Sequence, residues 1–364
     1  MKILFKTLIV FAILTTVNPL YGQSKSDYFY SKTQEIAAEA NIPAIQLYYK
    51  NDKTEIYFTT NQSDSLNINA NNESIFQMAS LSKTVFAYIV MRMYDRGEID
   101  IDQPISNYTN MDKFNDSITA KLITPRMVLC HVAGLKNWAT SPSSDSWAKT
   151  KNDFILEPGK IFSYSGEAYA YLQRAVEEIL GKSLQELAAD EVFVPLNMPN
   201  SSYGWLNSYD EIAVDGFNRQ GDNRGKNRHP SENSAYTLRS NAVEYAKFID
   251  ALVKGTGLKK ETHELMFNAA VHAVRYHGSE IDCDKNMYWA LGIGVEKNNK
   301  ELGDIYFHWG DNGNFKAMFF IIPSLNAYLV YTTNSGNGHN IVNKIASLYF
   351  GTKNNLELDC WINR

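Results

Sequence analysis

The stretch Met78-Ala79-Ser80-Leu81-Ser82-Lys83-Thr84 leads into an uncharged run from Val85 to Met91, and the next charge is Arg92. This run is too short to cross a membrane, and it predicts a helix that is buried on nearly all sides. Residues i and i+3 lie on one face of a helix, so the Ser80 hydroxyl would lie beside the Lys83 amine. We therefore expect the fold to be organised around a buried helix that starts at Ser80.

The pair Ser80 and Lys83 is suited to nucleophilic catalysis. A serine is a weak nucleophile at its own pKa and needs a neighbouring base. A lysine that is desolvated by burial loses proton affinity and can become that base. The helix N-terminus also offers free backbone N–H groups where negative charge would develop. The spacing alone does not separate this role from that of an N-cap serine.

The same spacing occurs again at Ser146-Trp147-Ala148-Lys149. A Ser-x-x-Lys motif is expected about once by chance in a chain of this length at ordinary Ser and Lys usage. The second copy follows Ser141-Pro142-Ser143-Ser144, which is typical of a loop. Because only Ser80 is followed by a buried helix, we expect Ser146 to lie outside the site.

Composition indicates a globular protein of one large or two intertwined domains. The chain has 364 residues with 44% hydrophobic and 21% charged side chains, and its net charge of −5 does not favour a nucleic acid partner.

Three unclustered cysteines, Cys130, Cys283 and Cys360, exclude a disulfide framework and a Cys-based zinc site. We expect no metal and no cofactor. A single bridge between Cys283 and Cys360 stays open as an alternative.

Residues 1–22 are predicted to be a signal peptide. Lys2 and Lys6 form the positive n-region, Thr7 to Val17 forms a short apolar h-region, and cleavage is expected after Gly22. No later stretch reaches eighteen consecutive apolar residues. The mature protein, 23–364, should therefore be exported to the periplasm or secreted, without a stable membrane span.

Strand-like runs lie at both ends of the chain, and helices fill the middle. A hairpin is expected between Ala44–Tyr49 and Lys53–Phe58. Further strands are predicted at Tyr288–Val295, Asp304–Trp309, Lys316–Ile322 and Ala327–Thr332. Helices are predicted at Ser26–Ala40, Ser80–Arg96, Thr124–Gly134, Ala168–Leu180, Ser183–Val194, Asn241–Val253 and Asn340–Phe350. The fold class is therefore α+β, with one antiparallel sheet built from N- and C-terminal segments, flanked by helices, and an all-α insert at about 121–234.

Two further stretches could complete a catalytic site. They are Pro158–Glu167, which contains Tyr164, and Phe307–Gly313, which contains His308. Taken alone, Tyr164 is more often a half-buried aromatic residue, and His308 beside Trp309 is more often a packing residue.

The order Ser80-x-x-Lys83, then Pro158-Gly159 with Tyr164-Ser165, then His308-x-Gly310 resembles the serine β-lactamase and penicillin-binding protein superfamily. The resemblance is strongest to its class C-like branch of lactamases, D-alanyl-D-alanine carboxypeptidases, D-aminopeptidases and esterases. Each motif is weak, but the ordered set is specific. Supporting similarity runs through Phe76–Lys83, Asp100–Ile105, Ile123–Leu135 and Tyr288–Gly292.

The resemblance implies a role for each candidate residue. Ser80 would be acylated. Lys83 and Tyr164 would act together as general base and proton shuttle. The sequence does not decide which of the two takes the serine proton. The backbone N–H groups of Ser80 and Asp311 would form the oxyanion hole. His131 receives no chemical role and is interpreted as structural.

The substrate-binding residues implied by the resemblance include one departure from the family. His308 takes the place of the Lys in the family's Lys-Thr-Gly, and Gly310 would let a substrate lie against the strand. The second motif is usually Tyr-x-Asn, whereas here Gly166 follows Tyr164 and Ser165. Gly166 cannot supply a carboxamide, so β-lactam turnover and peptide specificity become less expected than acyl-enzyme chemistry. The pocket beside Tyr164 should accordingly be wider and less polar than that of a lactamase.

The leading hypothesis is an exported serine hydrolase that acts through an acyl-enzyme on Ser80 and cleaves an ester, an amide or a D-amino-acid-containing peptide. One alternative is a true class C-like β-lactamase, which Gly166 disfavours. Another is a catalytically silent binding or sensor protein for cell-wall fragments or β-lactams. The partner would be a small-molecule or peptide substrate, and the sequence gives no oligomeric state.

Overall fold

A computed structural model describes residues 19–62, 69–115, 118–144, 146–276 and 278–364. Most of the predicted signal peptide lies outside the described residues, so its cleavage stays a prediction. The helices are α1 Pro19–Glu39, α2 Ser82–Arg96, α3 Asp112–Asn115, α4 Pro125–Leu129, α5 Gly166–Leu180, α6 Leu184–Ala188, α7 Tyr209–Ile212, α8 Ala242–Lys254, α9 Lys260–Phe267, α10 Val342–Phe350 and α11 Glu357–Asn363. The strands are β1 Ala44–Asn51, β2 Thr54–Asn61, β3 Phe76–Gln77, β4 Arg239–Ser240, β5 Val271–His272, β6 Met287–Trp289, β7 Gly294–Asn299, β8 Gly303–Asp311, β9 Lys316–Ile322 and β10 Ala327–Thr333.

The main sheet has eight antiparallel strands in the order β2-β1-β10-β9-β8-β7-β6-β5. The N-terminal hairpin of β1 and β2 joins the C-terminal strands because β1 pairs along its length with β10. This topology confirms the prediction of one antiparallel sheet built from both ends of the chain. The short strands β3 and β4 form a separate pair, and residues 121–234 hold helices α4 to α7.

The prediction of one strand over Tyr288–Val295 is wrong. The segment forms two strands, β6 and β7, which turn back on each other between Trp289 and Gly294. Gly292 lies in this turn with φ of 81°, a conformation that a strand does not use. The sequence also gave no warning of helices α9 and α11.

Two hydrophobic layers cover the two faces of the main sheet. Successive side chains of a strand point to opposite faces, and β9 illustrates this with Phe319 in the layer that contains α2 and Phe320 in the layer that contains Ile345 of α10. Helix α2 lies inside the first layer, and every residue from Ser82 to Met91 is buried. The helix ends at Gly97 in the left-handed conformation, so the predicted buried helix and its glycine cap are confirmed. Its predicted start at Ser80 is two residues early, because Ser80 lies in a 3₁₀ turn that precedes the α-helix.

One disulfide joins Cys283 to Cys360, whose Cα atoms are 6.0 Å apart. It ties α11 to the turn at Asp282–Asp284, so the pairing that the sequence left open is formed. Cys130 is a buried free thiol. None of the helices among the described residues is long and apolar enough to cross a membrane.

The turn at Gly292 provides a test of how closely the sheet packs on α2. A Cβ atom on Gly292 would lie 2.4 Å from the Cβ of Ala87. Gly292→Ala should therefore lower the free energy of unfolding through positive φ, about 1–2 kcal/mol, and through overpacking, about 1–3 kcal/mol more. Urea denaturation measures the change. The control is Gly303→Ala, since Gly303 has φ of 72° with no atom within 4 Å of the added Cβ. Equal losses in the two variants would contradict this close packing.

Candidate active site

Ser80 is held at the entry to α2 by an unusual backbone turn. The chain leaves β3, and Ala79 takes a left-handed conformation with φ of 49°, which is uncommon for a residue with a side chain. A 3₁₀ turn over Ala79–Leu81 then continues into α2. The Ser82 hydroxyl fixes this turn because it donates to the Ala79 carbonyl at 2.5 Å and accepts from the Leu238 N–H at 3.0 Å. Ser80 is left half-buried, with its side chain accessible.

Lys83 lies on the same face as Ser80 and is almost fully buried, with 1% exposed. Its Nζ donates to the Ala235 carbonyl at 2.7 Å and lies 3.1 Å from the Ser80 Oγ. Burial lowers the pKa of Lys83 well below its ordinary value because the charged form loses its hydration. A neutral amine in this position can donate to Ala235 and accept the Ser80 proton.

Tyr164 lines the same cavity as Ser80 and Lys83. Lys83 Nζ is 4.8 Å from the centre of the Tyr164 ring. Burial raises the pKa of Tyr164, and the nearby Ser80 hydroxyl opposes part of that shift. The Tyr164 Oη is buried and makes no well-aligned hydrogen bond with any described residue. Such loose alignment is common for catalytic groups in the absence of substrate.

A cavity of about 240 Å³ brings together four of the predicted site residues, namely Ser80, Lys83, Tyr164 and Asp311. Its other lining residues are Asn137, Trp138, Pro142, His229, Tyr236 and Asn312. Ser146 does not line this cavity, and its hydroxyl contacts that of Ser144 instead. Larger cavities of about 540 and 570 Å³ lie near Asp250, and Ser80 lines neither of them.

The end of β8 runs past Ser80. Asn312 N–H donates to the Phe315 carbonyl across the turn to β9, and Asp311 is the next residue back, opposite Lys316. Because hydrogen-bonded and non-hydrogen-bonded pairs alternate along antiparallel strands, the Asp311 N–H points away from β9. A Cβ on Gly310 would lie 3.2 Å from the Ser80 nitrogen. The two predicted oxyanion-hole amides are therefore on neighbouring backbone segments.

His308 lies behind the cavity and does not line it. Its side chain is fully buried, its Nδ1 donates to the Trp309 carbonyl at 2.8 Å, and its Nε2 has no partner among the described residues. Burial, and then the nearby Lys83 charge, lowers the pKa of His308 to about 3. The expected position on the strand is correct, but the ring supports the site from behind instead of facing substrate.

His131 forms part of the same buried layer. Its ring lies 4.2 Å from that of Tyr164, centre to centre, and its Nδ1 accepts a hydrogen bond from the Ser165 N–H at 3.1 Å. Burial lowers the pKa of His131 well below its ordinary value. Its contacts are those of a residue that positions Tyr164, in agreement with the structural interpretation.

Gly166 does not line the cavity, and the space that a wider pocket beside Tyr164 would use is filled. A Cβ on Gly166 would lie 2.2 Å from Cζ2 of Trp138, so the indole occupies the space that a side chain would need. Gly166 does not have a positive φ. Glu167 is also turned away, since it forms a buried ion pair with Lys113 and accepts from Trp147 Nε1 at 3.0 Å.

Sequence reasoning missed the residues that wall the cavity from two loops. Asn137 and Trp138 come shortly after the Ile123–Leu135 segment. Their nearness to that family-like segment could have indicated that they lie close to the site. His229 belongs to the stretch 207–233, whose many Gly, Asn, Asp and Arg residues are typical of a surface loop. Its ring packs edge-on against Tyr236 at 4.9 Å. Local sequence pattern does not show which loop returns to the nucleophile.

The chain is similar to several known proteins. The family model described as Beta-lactamase matches residues 31–348. Penicillin-binding protein 4 of Amycolatopsis lactamdurans is 27% identical over 139 residues, which are 35% of this chain and 36% of that protein. A D-stereospecific amidohydrolase from Streptomyces sp. superposes with a TM-score of 0.72 at 15% identity, over 88% of this chain and 99% of that one. The D-amino acid amidase of Ochrobactrum anthropi SV3 gives 0.72 at 20% identity, over 85% and 92%.

The chain therefore belongs to the Beta-lactamase family, and its fold is that of the serine β-lactamase and transpeptidase superfamily. Members of this superfamily are serine hydrolases. The aligned regions span 36% to 52% of the length of the curated relatives.

The contact between β8 and the nucleophile segment can be tested at Gly310. A Cβ there would lie 2.4 Å from the Met78 carbonyl oxygen, so Gly310→Ala should displace the backbone that carries Ser80. We expect the rate of Ser80 labelling by a fluorophosphonate, a reagent for activated serines, to fall by about 100-fold. Labelling is quantified by intact-protein mass spectrometry, with circular dichroism as the check on folding. Gly204→Ala is the control because Gly204 has no positive φ and its added Cβ would meet no atom closer than 3.5 Å. An unchanged rate in folded Gly310→Ala would contradict the assignment.

Proposed function

We propose that the protein is an exported serine hydrolase that forms an acyl-enzyme on Ser80 and cleaves an ester, an amide or a D-amino-acid-containing peptide. The observation that carries this proposal is the buried Lys83 amine 3.1 Å from the Ser80 hydroxyl oxygen. A lysine placed only for structure would be expected to have a carboxylate partner or a route to solvent, and Lys83 has a serine hydroxyl, a carbonyl and aromatic rings around it.

The opposite pKa shifts of Lys83 and Tyr164 suggest how the two residues divide the proton transfers. Lys83 is biased toward the neutral amine, so it takes the proton as Ser80 Oγ attacks the substrate carbonyl carbon. The oxyanion that forms is stabilised by the N–H groups of Ser80 and Asp311. Tyr164 is biased toward the protonated phenol, so it protonates the leaving group and regains its proton from Lys83.

Deacylation uses the same residues in reverse. A water molecule attacks the acyl carbon, its proton passes to the Lys83 and Tyr164 pair, and Ser80 Oγ leaves with a proton returned from that pair. The acyl group departs as a carboxylic acid. Between the two roles that the sequence leaves open, we therefore propose that Lys83 is the acylation base and Tyr164 the proton shuttle.

Several observations bear on the alternatives. Similarity to a penicillin-binding protein is compatible with a peptide or a β-lactam as the substrate of this chain. Similarity to the two amidases favours an amide of a D-amino acid. Gly166 and the Trp138 indole over it disfavour a true β-lactamase. The complete Ser80, Lys83 and Tyr164 set disfavours a silent sensor. A hydrolysis panel of p-nitrophenyl esters, a chromogenic cephalosporin and D-alanyl peptides separates these classes.

Export is supported by two features of the chain. One is the basic and then apolar start of the sequence, Lys2 to Val17. The other is the Cys283–Cys360 disulfide, because disulfides persist in oxidising compartments and are rare in the cytosol.

The proposed base predicts a specific pH dependence. Only the neutral Lys83 can accept a proton, so kcat/KM for p-nitrophenyl acetate should rise with pH through the Lys83 pKa and level off above it. Since burial lowers that pKa, the midpoint should lie clearly below the ordinary lysine value of 10.5. The other titratable groups that face Lys83 are Tyr164, Tyr169, His131 and His308. Burial raises the pKa values of the two tyrosines and lowers those of the two histidines. None of these four groups should therefore titrate near neutral pH.

Variants give the controls for this profile. Ser80→Ala should abolish turnover, and Lys83→Arg should remove the pH-dependent rise because the guanidinium stays protonated. Ser146→Ala should behave like the unmodified protein. Ester hydrolysis that survives Ser80→Ala would refute the proposed function.

A further inference from the structure

The peptide group between Gly310 and Asp311 carries one of the two N–H groups proposed for the oxyanion hole. Its N–H, that of Asp311, points away from β9 because the pair of Asp311 and Lys316 is a non-hydrogen-bonded one. In a trans peptide group the C=O and the N–H point in opposite directions, and no described residue has a cis peptide bond. The Gly310 carbonyl therefore points to the side of β9. Whatever holds this carbonyl also sets the direction of the Asp311 N–H.

A buried histidine holds the Gly310 carbonyl. The Nε2 atom of His339 lies 3.0 Å from the Gly310 oxygen, and only 5% of the residue is exposed. A carbonyl oxygen can only accept a hydrogen bond, so Nε2 carries the proton and donates it. The other ring nitrogen, Nδ1, has no partner among the described residues. Within the described part of the chain, the His339 side chain thus makes its hydrogen bond to this one carbonyl.

The surroundings of His339 favour the neutral ring. Burial, and then the nearby Lys316 charge, lowers the pKa of His339, whereas the Asp311 carboxylate and the bond to Gly310 oppose part of that shift. The Arg275 charge also lowers this pKa. A neutral imidazole has a single N–H group, and His339 uses it on the Gly310 carbonyl.

The segment that carries His339 is fixed on both sides. Tyr331 Oη donates to the Gly338 carbonyl at 3.2 Å, and Asn363 Nδ2 donates to the His339 carbonyl at 3.2 Å. A Cβ on Gly338 would clash with Thr333 Oγ1, so the segment packs directly on β10. A donor on a firmly held segment keeps its acceptor in a defined position.

A hydrogen bond to the oxygen of a peptide group also strengthens the N–H of that group as a donor. Hydrogen bonds in series polarise one another in a low-dielectric interior. The bond from His339 draws electron density toward the Gly310 oxygen and makes the Asp311 N–H more positive. This matters most when negative charge develops on the substrate oxygen, so the benefit falls on the transition state.

We propose that His339 is a positioning residue for the oxyanion hole, and that its bond to the Gly310 carbonyl aims and polarises the Asp311 N–H. The inference rests on the proposed function and adds a residue that does not line the Ser80 cavity. His339 acts from behind the strand, through one peptide group.

The test compares two variants whose side chains are unbranched and similar in size. His339→Met removes the donor, whereas His339→Gln keeps an N–H group at about the reach of Nε2. In His339→Met, kcat/KM for p-nitrophenyl acetate should fall by about tenfold, the worth of one hydrogen bond. In His339→Gln it should stay within about threefold of the unmodified protein, because the carbonyl still has a donor.

A transition-state analogue separates positioning from packing. Phenylboronic acid forms a tetrahedral adduct in which Ser80 Oγ bonds to boron and the serine proton passes to Lys83. The adduct places an oxygen where the oxyanion forms. Its inhibition constant should therefore rise in His339→Met by the same factor as kcat/KM falls, and stay near its ordinary value in His339→Gln. A role in packing alone would not separate the two variants.

His263 provides the matched control. Its Nε2 also bonds to a backbone carbonyl, that of Leu252 at 2.9 Å, and it does not line the Ser80 cavity. His263→Met should leave both measurements unchanged. Thermal unfolding of each variant shows that the assays are made on folded protein. If His339→Met does not fold, His339→Asn replaces it, because the shorter amide does not reach the Gly310 carbonyl.

Equal losses in the donor-free variant and in His339→Gln would overturn this inference. So would ordinary ester hydrolysis and boronate inhibition in the folded donor-free variant. Either result would leave the proposed function standing. Failure of the unmodified protein to hydrolyse the ester would overturn the proposed function and the inference with it.

Discussion

The burial of the Lys83 amine against Ser80 is the constraint on which the rest of the structure depends. A charged ammonium at this depth would lose its hydration without gaining an anion, so the fold favours the neutral amine. Achieving this burial requires a helix covered on every side, and α2 is covered by the main sheet and by the helical region together. The Ala235 carbonyl then fixes the amine, and the Tyr203 and Tyr245 hydroxyls bond to the carbonyls of Ser82 and Leu81. Reactivity and core packing are therefore properties of one element.

A second layer, behind the reactive groups, sets their environment. The rings of His131, Tyr164 and His308 surround Trp289, at centroid distances of 5.3 to 6.1 Å. Several polar atoms of this layer lack partners among the described residues, including His131 Nε2, His308 Nε2 and Tyr164 Oη. Unpaired polar atoms in a core are unfavourable, and here they lie next to Lys83, whose pKa is lowered by burial. Under the proposed function, this layer gives up stability for the protonation states that the chemistry requires.

The sequence predicted those features whose causes are local. The buried run after Ser80, the glycine at its end and the hairpin of β1 and β2 follow from patterns within a few residues. The site was only partly predictable, because its walls come from distant segments. Gly166 and Trp138 are 28 positions apart, so no local pattern indicates that an indole fills the space beside the glycine. His308 was placed on the correct strand, but which side of that strand faces substrate depends on how Gly310 packs against Met78.

The account predicts that substrate is held covalently on Ser80, and trapping the acyl-enzyme is its most direct test. The protein is mixed with p-nitrophenyl acetate, quenched with acid within the first turnovers and analysed by intact mass and peptide mapping. We expect one added acetyl group on the peptide that contains Ser80, and none in Ser80→Ala. Acetylation of Ser146 or of a lysine in place of Ser80, or turnover with no acetylated serine, would contradict the account.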